Sequence, residues 1–363
     1  MNIRPRKSLL NPALHRPSAL LSSPRSASSV WLDKNENFDP ELESISKHIL
    51  ASIPPHAVSA YPELGELYRK LAIWLDVDPM TLLVTPGSDG VIRLVFDAFI
   101  EQGDWIIHTA PTFAMYEIYS LMFGGNVKTI EYFPTQIGPQ LNHKEILHNV
   151  AKLKPKILCL PNPDSPSGTV IAPEILKEIL LACEKASTLM LIDEAYHPFY
   201  PWTAVPWIKE SKNLIVARTF SKAWGGAGFH VGYAVGHPDT ICMLHKMRPM
   251  YELNTISVEY ATRMLDYTSE MHQSAKRINL IKKFFQNEMI ALGFKALETE
   301  GNFIHVAFGD AADLVHTALY GHVLYRSSFK HPSLDGFSRF TIGPQVTMES
   351  VSELIRVAIG KNL

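Results

Sequence analysis

The residues best suited to covalent chemistry lie between Asn213 and Gly236, in NLIVARTFSKAWGGAGFHVGYAVG. An apolar run, Leu214 to Ala217, has the composition of a strand buried on both faces. It leads into Ser221, Lys222 and a Gly-rich turn. A lysine at the end of such a strand is open to desolvation, which disfavours the ammonium form and lowers its pKa, as a Schiff-base lysine requires. Ser221 and the glycine-flanked amides beyond it can meet a phosphate. An isolated Ser-Lys pair is otherwise a surface loop, so the rest of the chain must decide. Two further strand ends carry suitable groups. Leu82 to Thr85 reads as a strand, Val91 to Ile100 as a helix, and Gly87-Ser88-Asp89-Gly90 joins them. That turn places orphan amides and the positive end of a helix dipole where an anion can sit. Ser88 or Asp89 could instead simply cap the helix. Leu189 to Ile192 delivers Asp193-Glu194-Ala195-Tyr196. A carboxylate at the end of a buried strand is costly without a partner, so Asp193 needs either neighbouring amides or a ligand that donates to it.

The elements that position these groups alternate between strand and helix. Trp105 to Thr109 and Ile157 to Leu160 read as further strands, and Leu64 to Leu75 as an amphipathic helix. Glu41 to Ile53 reads as a helix stopped by Pro54-Pro55. From His237 the pattern turns helical, over Asp239 to Arg248, Ser257 to Leu265 and Met271 to Leu292, with Gly293 as cap. Strands near Phe303 to Phe308, Val323 to Arg326 and Arg339 to Ile342 then mix with helices at Ala311 to Tyr320 and Met348 to Ile359. That is an α/β chain with a second, smaller α/β lobe.

RTFSKAWGGAG resembles the lysine segment of the fold-type-I pyridoxal-phosphate (PLP) aminotransferases, in particular the histidinol-phosphate aminotransferase branch. WLDKNEN, YPELGELYRKLA, TPGSDG, APTFAMY, PNPDSPSG, LIDEAY, EGNFIHV, VLYRSS and FSRFTIG continue the resemblance in order over nearly the whole chain after about Val30. It implies a large PLP-binding domain with a mostly parallel seven-stranded sheet flanked by helices, and a smaller α/β domain. The expected division is an arm over 1–30, an arm and small-domain segment over 31–54, the large domain over 55–250 and the small domain over 251–363.

The resemblance also implies roles. Lys222 holds the cofactor and moves the proton. Asp193 pairs with the pyridine nitrogen, and Tyr196 reaches the phenolic oxygen. Ser88, Asp89, Gly90 and Ser221 belong to the phosphate cup, and Phe113 stacks on the ring. Tyr61 reaches the cofactor phosphate of a partner subunit. Arg339 binds the substrate's acidic group, since its fork takes a carboxylate bidentately. Arg326 matches a second anion-binding arginine, and Asn37 lies in the segment that enters the site near the substrate.

Three positions depart from the family pattern. Ser165 stands where an asparagine contacts the phenolic oxygen, and His230 where an arginine contacts the phosphate. The stretch HRPSALLSSPRS lacks a tyrosine that the family's arm commonly carries. These departures suit a paralogue with another amino or oxo substrate. The expected reaction is transfer of an amino group between an amino donor and a 2-oxo or oxo-phosphate acceptor. A PLP decarboxylase acting on a phosphorylated amino acid is the enzymatic rival, because the same scaffold supports it. A non-catalytic regulator is disfavoured by the retained lysine and aspartate.

Composition agrees with an enzyme. The 363 residues are 46% hydrophobic and 19% charged, and a net charge of −2 offers no global attraction to nucleic acid or an anionic membrane. Cys159, Cys183 and Cys242 have no metal-ligand spacing and suit a reducing compartment, so a cytoplasmic protein without metal is expected; the resemblance, through Tyr61 and the arm, implies a homodimer. Met1 to Leu32 has no acidic residue, while Arg4, Arg6, Lys7, Arg16 and Arg25 lie among serines and prolines. That composition resembles a transit peptide. Its prolines oppose an amphipathic helix, so a basic arm is expected instead, which the resemblance implies lies across a dimer.

Overall fold

The structure is a computed structural model that describes residues 3–14 and 24–360. Residues 1–2 and 15–23 of the expected arm lie outside the described residues. The described part of the arm enters through β1 (Val30–Trp31), which pairs in parallel with β12 (Val323–Leu324).

The main sheet is built from β2 (Leu82–Pro86), β3 (Trp105–Ala110), β4 (Asn126–Phe133), β5 (Gln140–Leu141), β6 (Ile157–Pro161), β7 (Leu189–Asp193), β8 (Leu214–Thr219) and β9 (Val231–Gly236). Their order is β2-β9-β8-β7-β6-β3-β4-β5. Neighbours from β8 across to β4 run parallel, whereas β9 is antiparallel to both β2 and β8. The sheet has eight strands where seven were expected. The eighth, β5, is a two-residue strand folded back on the end of β4 through a turn in which Thr135 Oγ1 donates to the Gly138 carbonyl.

The central strands are buried throughout, and their alternate residues feed two separate cores. In β8, Leu214 and Val216 join the core on one face, and Ile215 and Ala217 the core on the other. This is the period-2 consequence of a sheet covered by helices on both sides. Helix Gly87–Phe99 packs over β8 and β9 through Val91, Ile92, Val95 and Phe96.

The smaller lobe is a three-stranded antiparallel sheet, β10 (Lys295–Leu297), β11 (Phe303–Ala307) and β13 (Phe337–Thr341). Helices Thr268–Ala291 and Gln345–Ala358 pack against each other beside it. Arg326 bridges Arg339 on β13 by a pair of main-chain hydrogen bonds of 3.1 and 2.8 Å. Asn302 Nδ2 donates to the Asn35 carbonyl at 3.1 Å, tying this lobe to the segment that enters the cleft.

The topology concentrates chain ends at one edge. The parallel strands β3, β6, β7 and β8 all finish there, which is where open α/β sheets bind ligands. Because β9 runs the other way, its first residues arrive at the same edge.

Candidate active site

A cavity of about 680 Å³ lies at that edge, walled by the strand ends on one side and by the 326–331 segment and Arg339 on the other. At the end of β8, the Ser221 amide donates to Thr219 Oγ1 at 3.1 Å, and Lys222 follows on the cavity wall. Its Nζ donates to the Lys34 carbonyl at 2.8 Å and lies 6.0 Å from the Tyr196 ring centre. Burial, and then the neighbouring Arg339 guanidinium, lower its pKa to about 8. The desolvated amine expected from the sequence is therefore present, nucleophilic at mildly alkaline pH.

Asp193 closes β7. Its two oxygens accept from Tyr116 Oη and from the Ala195 amide, each at 3.0 Å. Both donors are neutral, and burial raises the carboxyl pKa to about 6. Tyr196, also buried, accepts a 2.7 Å hydrogen bond from Asn35 Nδ2 and is hydrogen-bonded to the Ser165 hydroxyl. Phe113 stands on the cavity wall, edge-on to Tyr116 with ring centres 6.0 Å apart.

The opposite end of the cavity floor is a cup. Gly87, Ser88 and Asp89 come from the first turn of helix Gly87–Phe99, Thr219 ends β8 with Ser221 just beyond it, and His230 precedes β9. The residue before the helix is Pro86, which provides no side-chain cap, so the first-turn amides are open to an anion. Gly87 has φ +64, and a Cβ there would stand 3.0 Å from His230 Nε2. A Cβ on Gly232 would lie 2.2 Å from the Gly87 carbonyl carbon. Glycine at both positions lets turn, imidazole and strand meet.

Arg339 is nine-tenths buried. Its Nη2 donates to the Asp33 carbonyl at 2.8 Å, its Nε has no partner among the described residues, and its guanidinium lies 5.3 Å over Phe303. Arg326, over Phe329 at 4.6 Å, faces the same space from the adjoining segment.

Some sequence expectations are not gathered here. Asn37 is turned away from the cavity, donating to the Ala223 carbonyl at 3.0 Å and to Ser274 Oγ at 3.2 Å; it braces the entering segment. Gly90 does not line the cavity, and a Cβ there would meet Thr85 and Pro86 of β2 at 3.0 Å. Arg218, one residue before Thr219 on β8, does not line the cavity either: it is buried against Glu194, with N–O distances of 2.9 and 3.0 Å. Tyr61 is 72% exposed and stacks on Tyr251, outside its own chain's cavity.

Other residues at the site were not singled out from sequence. Asn35, two positions before Asn37, takes a left-handed φ of +56 and points into the cavity. An asparagine tolerates that conformation, which is the one local signal it carried. Tyr116 sits three residues after Phe113, one helical turn on. Asp164 accepts from Thr112 Oγ1, Ser167 Oγ and the Ser167 amide at 2.8 to 3.1 Å and so stitches the Phe113 and Ser165 loops together.

The aminotransferase class I and II family matches residues 28–357. The chain belongs to that family. A histidinol-phosphate aminotransferase of Caldanaerobacter subterraneus subsp. tengcongensis is 32% identical over 313 residues, covering 86% of this chain and 88% of that protein. Two solved structures share the fold. Histidinol-phosphate aminotransferase from Sinorhizobium meliloti, in complex with pyridoxal-5′-phosphate, has a TM-score of 0.78 at 22% identity, covering 90% of this chain and 91% of that one. L-Threonine-O-3-phosphate decarboxylase from Porphyromonas gingivalis has a TM-score of 0.75 at 21% identity, covering 92% and 100%.

This aminotransferase is accordingly an enzyme of PLP, and the cavity fits that cofactor. A buried carboxylate met only by neutral donors suits a protonated pyridine nitrogen. A cup of open amides, kept clear by Gly87 and Gly232, suits a phosphate. Lys222 is the available amine. When bound, PLP supplies an electron-withdrawing ring that acidifies the carbon next to the reacting nitrogen. Among the described residues no cluster of His, Cys, Asp or Glu could hold a metal ion, and no helix is long and apolar enough to cross a membrane.

Proposed function

We propose that this aminotransferase exchanges an amino group between a phosphorylated amino compound of the histidinol-phosphate type and a 2-oxo acid, working as a homodimer. The observation that carries the substrate class is the arginine pair. Arg326 and Arg339 are fastened to each other through their main chains, so two guanidiniums face one cavity from a fixed base. Arg339, with its buried unpartnered Nε, suits a planar carboxylate. Arg326, with Lys330 beside it on the cavity wall, suits a more highly charged phosphate. The 32% identical relative bears the name of that activity.

The residues divide the work as follows. Ser88, Asp89 and Ser221 hold the cofactor phosphate, with His230 at its edge, and Phe113 covers the ring. Asp193 keeps a proton on the pyridine nitrogen. Tyr196 and Ser165 face the phenolic oxygen. Lys222 Nζ would take and hold the proton from the substrate carbon that bears nitrogen, acting as general base and then acid. The Lys34 carbonyl, 2.8 Å away, orients the amine for that transfer. Tyr61 reaches the neighbouring subunit's cup. All three cysteines are free thiols, the state of a reducing compartment such as the cytoplasm.

The test is an absorbance screen of amino donors against PLP-loaded enzyme, with histidinol phosphate, histidinol, glutamate and phosphothreonine. Conversion to the pyridoxamine form by histidinol phosphate and glutamate, but far more slowly by histidinol, supports the reading. Release of carbon dioxide from phosphothreonine without that conversion would make the enzyme a decarboxylase.

A further inference from the structure

We propose that Asn35 is a positioning residue that directs the Tyr196 hydroxyl proton into the cavity. This rests on the PLP reading of the site and adds a control on it.

Asn35 is 2% exposed and held on three sides. Its amide donates to Thr341 Oγ1 at 2.9 Å, and its carbonyl accepts from Asn302 Nδ2 at 3.1 Å. The Thr341 hydroxyl, having accepted that amide, sends its own proton to Asn35 Oδ1 at 3.2 Å. With Oδ1 occupied by a donor, the other end of the side-chain amide, Nδ2, faces Tyr196 Oη at 2.7 Å. The orientation follows from the inventory of donors: a hydroxyl has one proton, and an NH₂ group cannot accept it.

The consequence falls on Tyr196. Because its oxygen accepts from Asn35, its single proton is free to point away from Asn35. On the cavity side it meets Ser165 or an anionic oxygen of a bound ligand. Thr341, Asn35 and Tyr196 therefore form a one-way line of donors from β13 of the small lobe to a residue following β7 of the large sheet. This matters more here because Ser165 offers a short hydroxyl at the position facing the same oxygen.

Asn35→Gly removes the amide while tolerating φ +56, and Thr341→Val removes the hydroxyl that orients it. The readout is the visible pH titration of the PLP–Lys222 chromophore, beside the amino-donor kinetics. A donor to the phenolic oxygen disfavours protonation of the lysine–cofactor linkage, so its loss raises the midpoint. Both variants are expected to raise it by about half to one pH unit and to lower kcat about tenfold, with KM within about twofold, the effect of one hydrogen bond. In a Tyr196→Phe background, Asn35→Gly should add nothing to either quantity. Thr341→Val gives the same reading if Asn35→Gly does not fold. An unmoved midpoint in a folded variant overturns the proposal, and so does an equal shift with and without Tyr196. Loss of PLP binding by wild type itself would instead refute the cofactor reading.

Discussion

Asp193 is a buried carboxylate whose two partners are neutral, and that arrangement has a measurable stability signature. Its carboxyl pKa rises from 3.8 to about 6 in the folded chain. Between those values the native state holds a proton that the unfolded state has lost, so stability falls as pH rises through this window and stays reduced above it. Two pKa units correspond to roughly 3 kcal/mol at most. Cofactor-free Asp193→Asn should therefore exceed cofactor-free wild type by about 1–3 kcal/mol at pH 8 and match it near pH 4, measured by urea unfolding. The same variant should lose at least about a hundredfold in transamination. An equal stability difference at both pH values would mean that the carboxylate is not strained. His230 offers a second test. Its ring lies against Gly87 in the cup, where an arginine would add a permanent charge and a two-pronged donor. His230→Arg should therefore bind PLP more tightly at neutral pH, measured by cofactor titration of the two cofactor-free proteins. Identical titrations of the two cofactor-free proteins would remove His230 from phosphate binding. Lys222 and Asp193 were legible in the sequence because each follows an apolar run, Asp193 directly and Lys222 after a short polar turn, and a polar group there has few roles. Asn35 was not, because nothing in Asn-Glu-Asn says which asparagine faces the cavity; the left-handed turn and Thr341, far along the chain, decide it.

At the scale of elements, the cup depends on a strand that runs against its neighbours. Gly232 pairs with Thr85 of β2 and Thr219 of β8, so β9 holds the two segments of the cup together. A methyl group there would lie 2.2 Å from the Gly87 carbonyl carbon and 2.4 Å from the Ser88 nitrogen. Backbone on both sides leaves little room to relax. Gly232→Ala should cost about 2–3 kcal/mol of stability and, in whatever folds, weaken PLP binding more than about tenfold. Wild-type PLP affinity in a folded Gly232→Ala protein would show that the turn can move without harm to the cup. The apolar strands β6, β7 and β8 could be read from sequence because burial on both faces leaves an unbroken hydrophobic run. Strand β4, NVKTIEYF, was missed for the converse reason. It lies towards the edge of the sheet, only Ile130 and Tyr132 are buried, and its alternation with lysine and glutamate is too weak to stand out. The short β5 has no sequence signal of its own, since its pairing follows from the turn that precedes it.

The whole molecule leaves a surface that a single chain does not explain. Tyr61 is 72% exposed although it stacks face to face on Tyr251, with ring centres 4.1 Å apart. Val58 and Met250, each within a few residues of that pair, are 80% and 78% exposed. Large apolar groups gathered in the open are what a partner surface covers, and a two-fold dimer would present each copy's Tyr61 to the other. The consequence is that no chain should complete its own cup. Tyr61→Ala should weaken PLP binding about tenfold while leaving the fold intact, since the side chain packs on only one ring. Lys222→Ala should abolish transamination, because it removes the desolvated amine that Schiff-base chemistry uses. In a hybrid dimer of the two variants, one site would combine Lys222 of the first chain with Tyr61 of the second and be whole, while the other would carry both defects. Differently tagged chains, co-expressed and purified through both tags, should recover wild-type PLP affinity and turnover at half of the sites. A hybrid that binds PLP no more tightly than the Tyr61→Ala parent would show that the sites are not shared, and a fully active monomer in sedimentation at micromolar concentration would remove the dimer altogether.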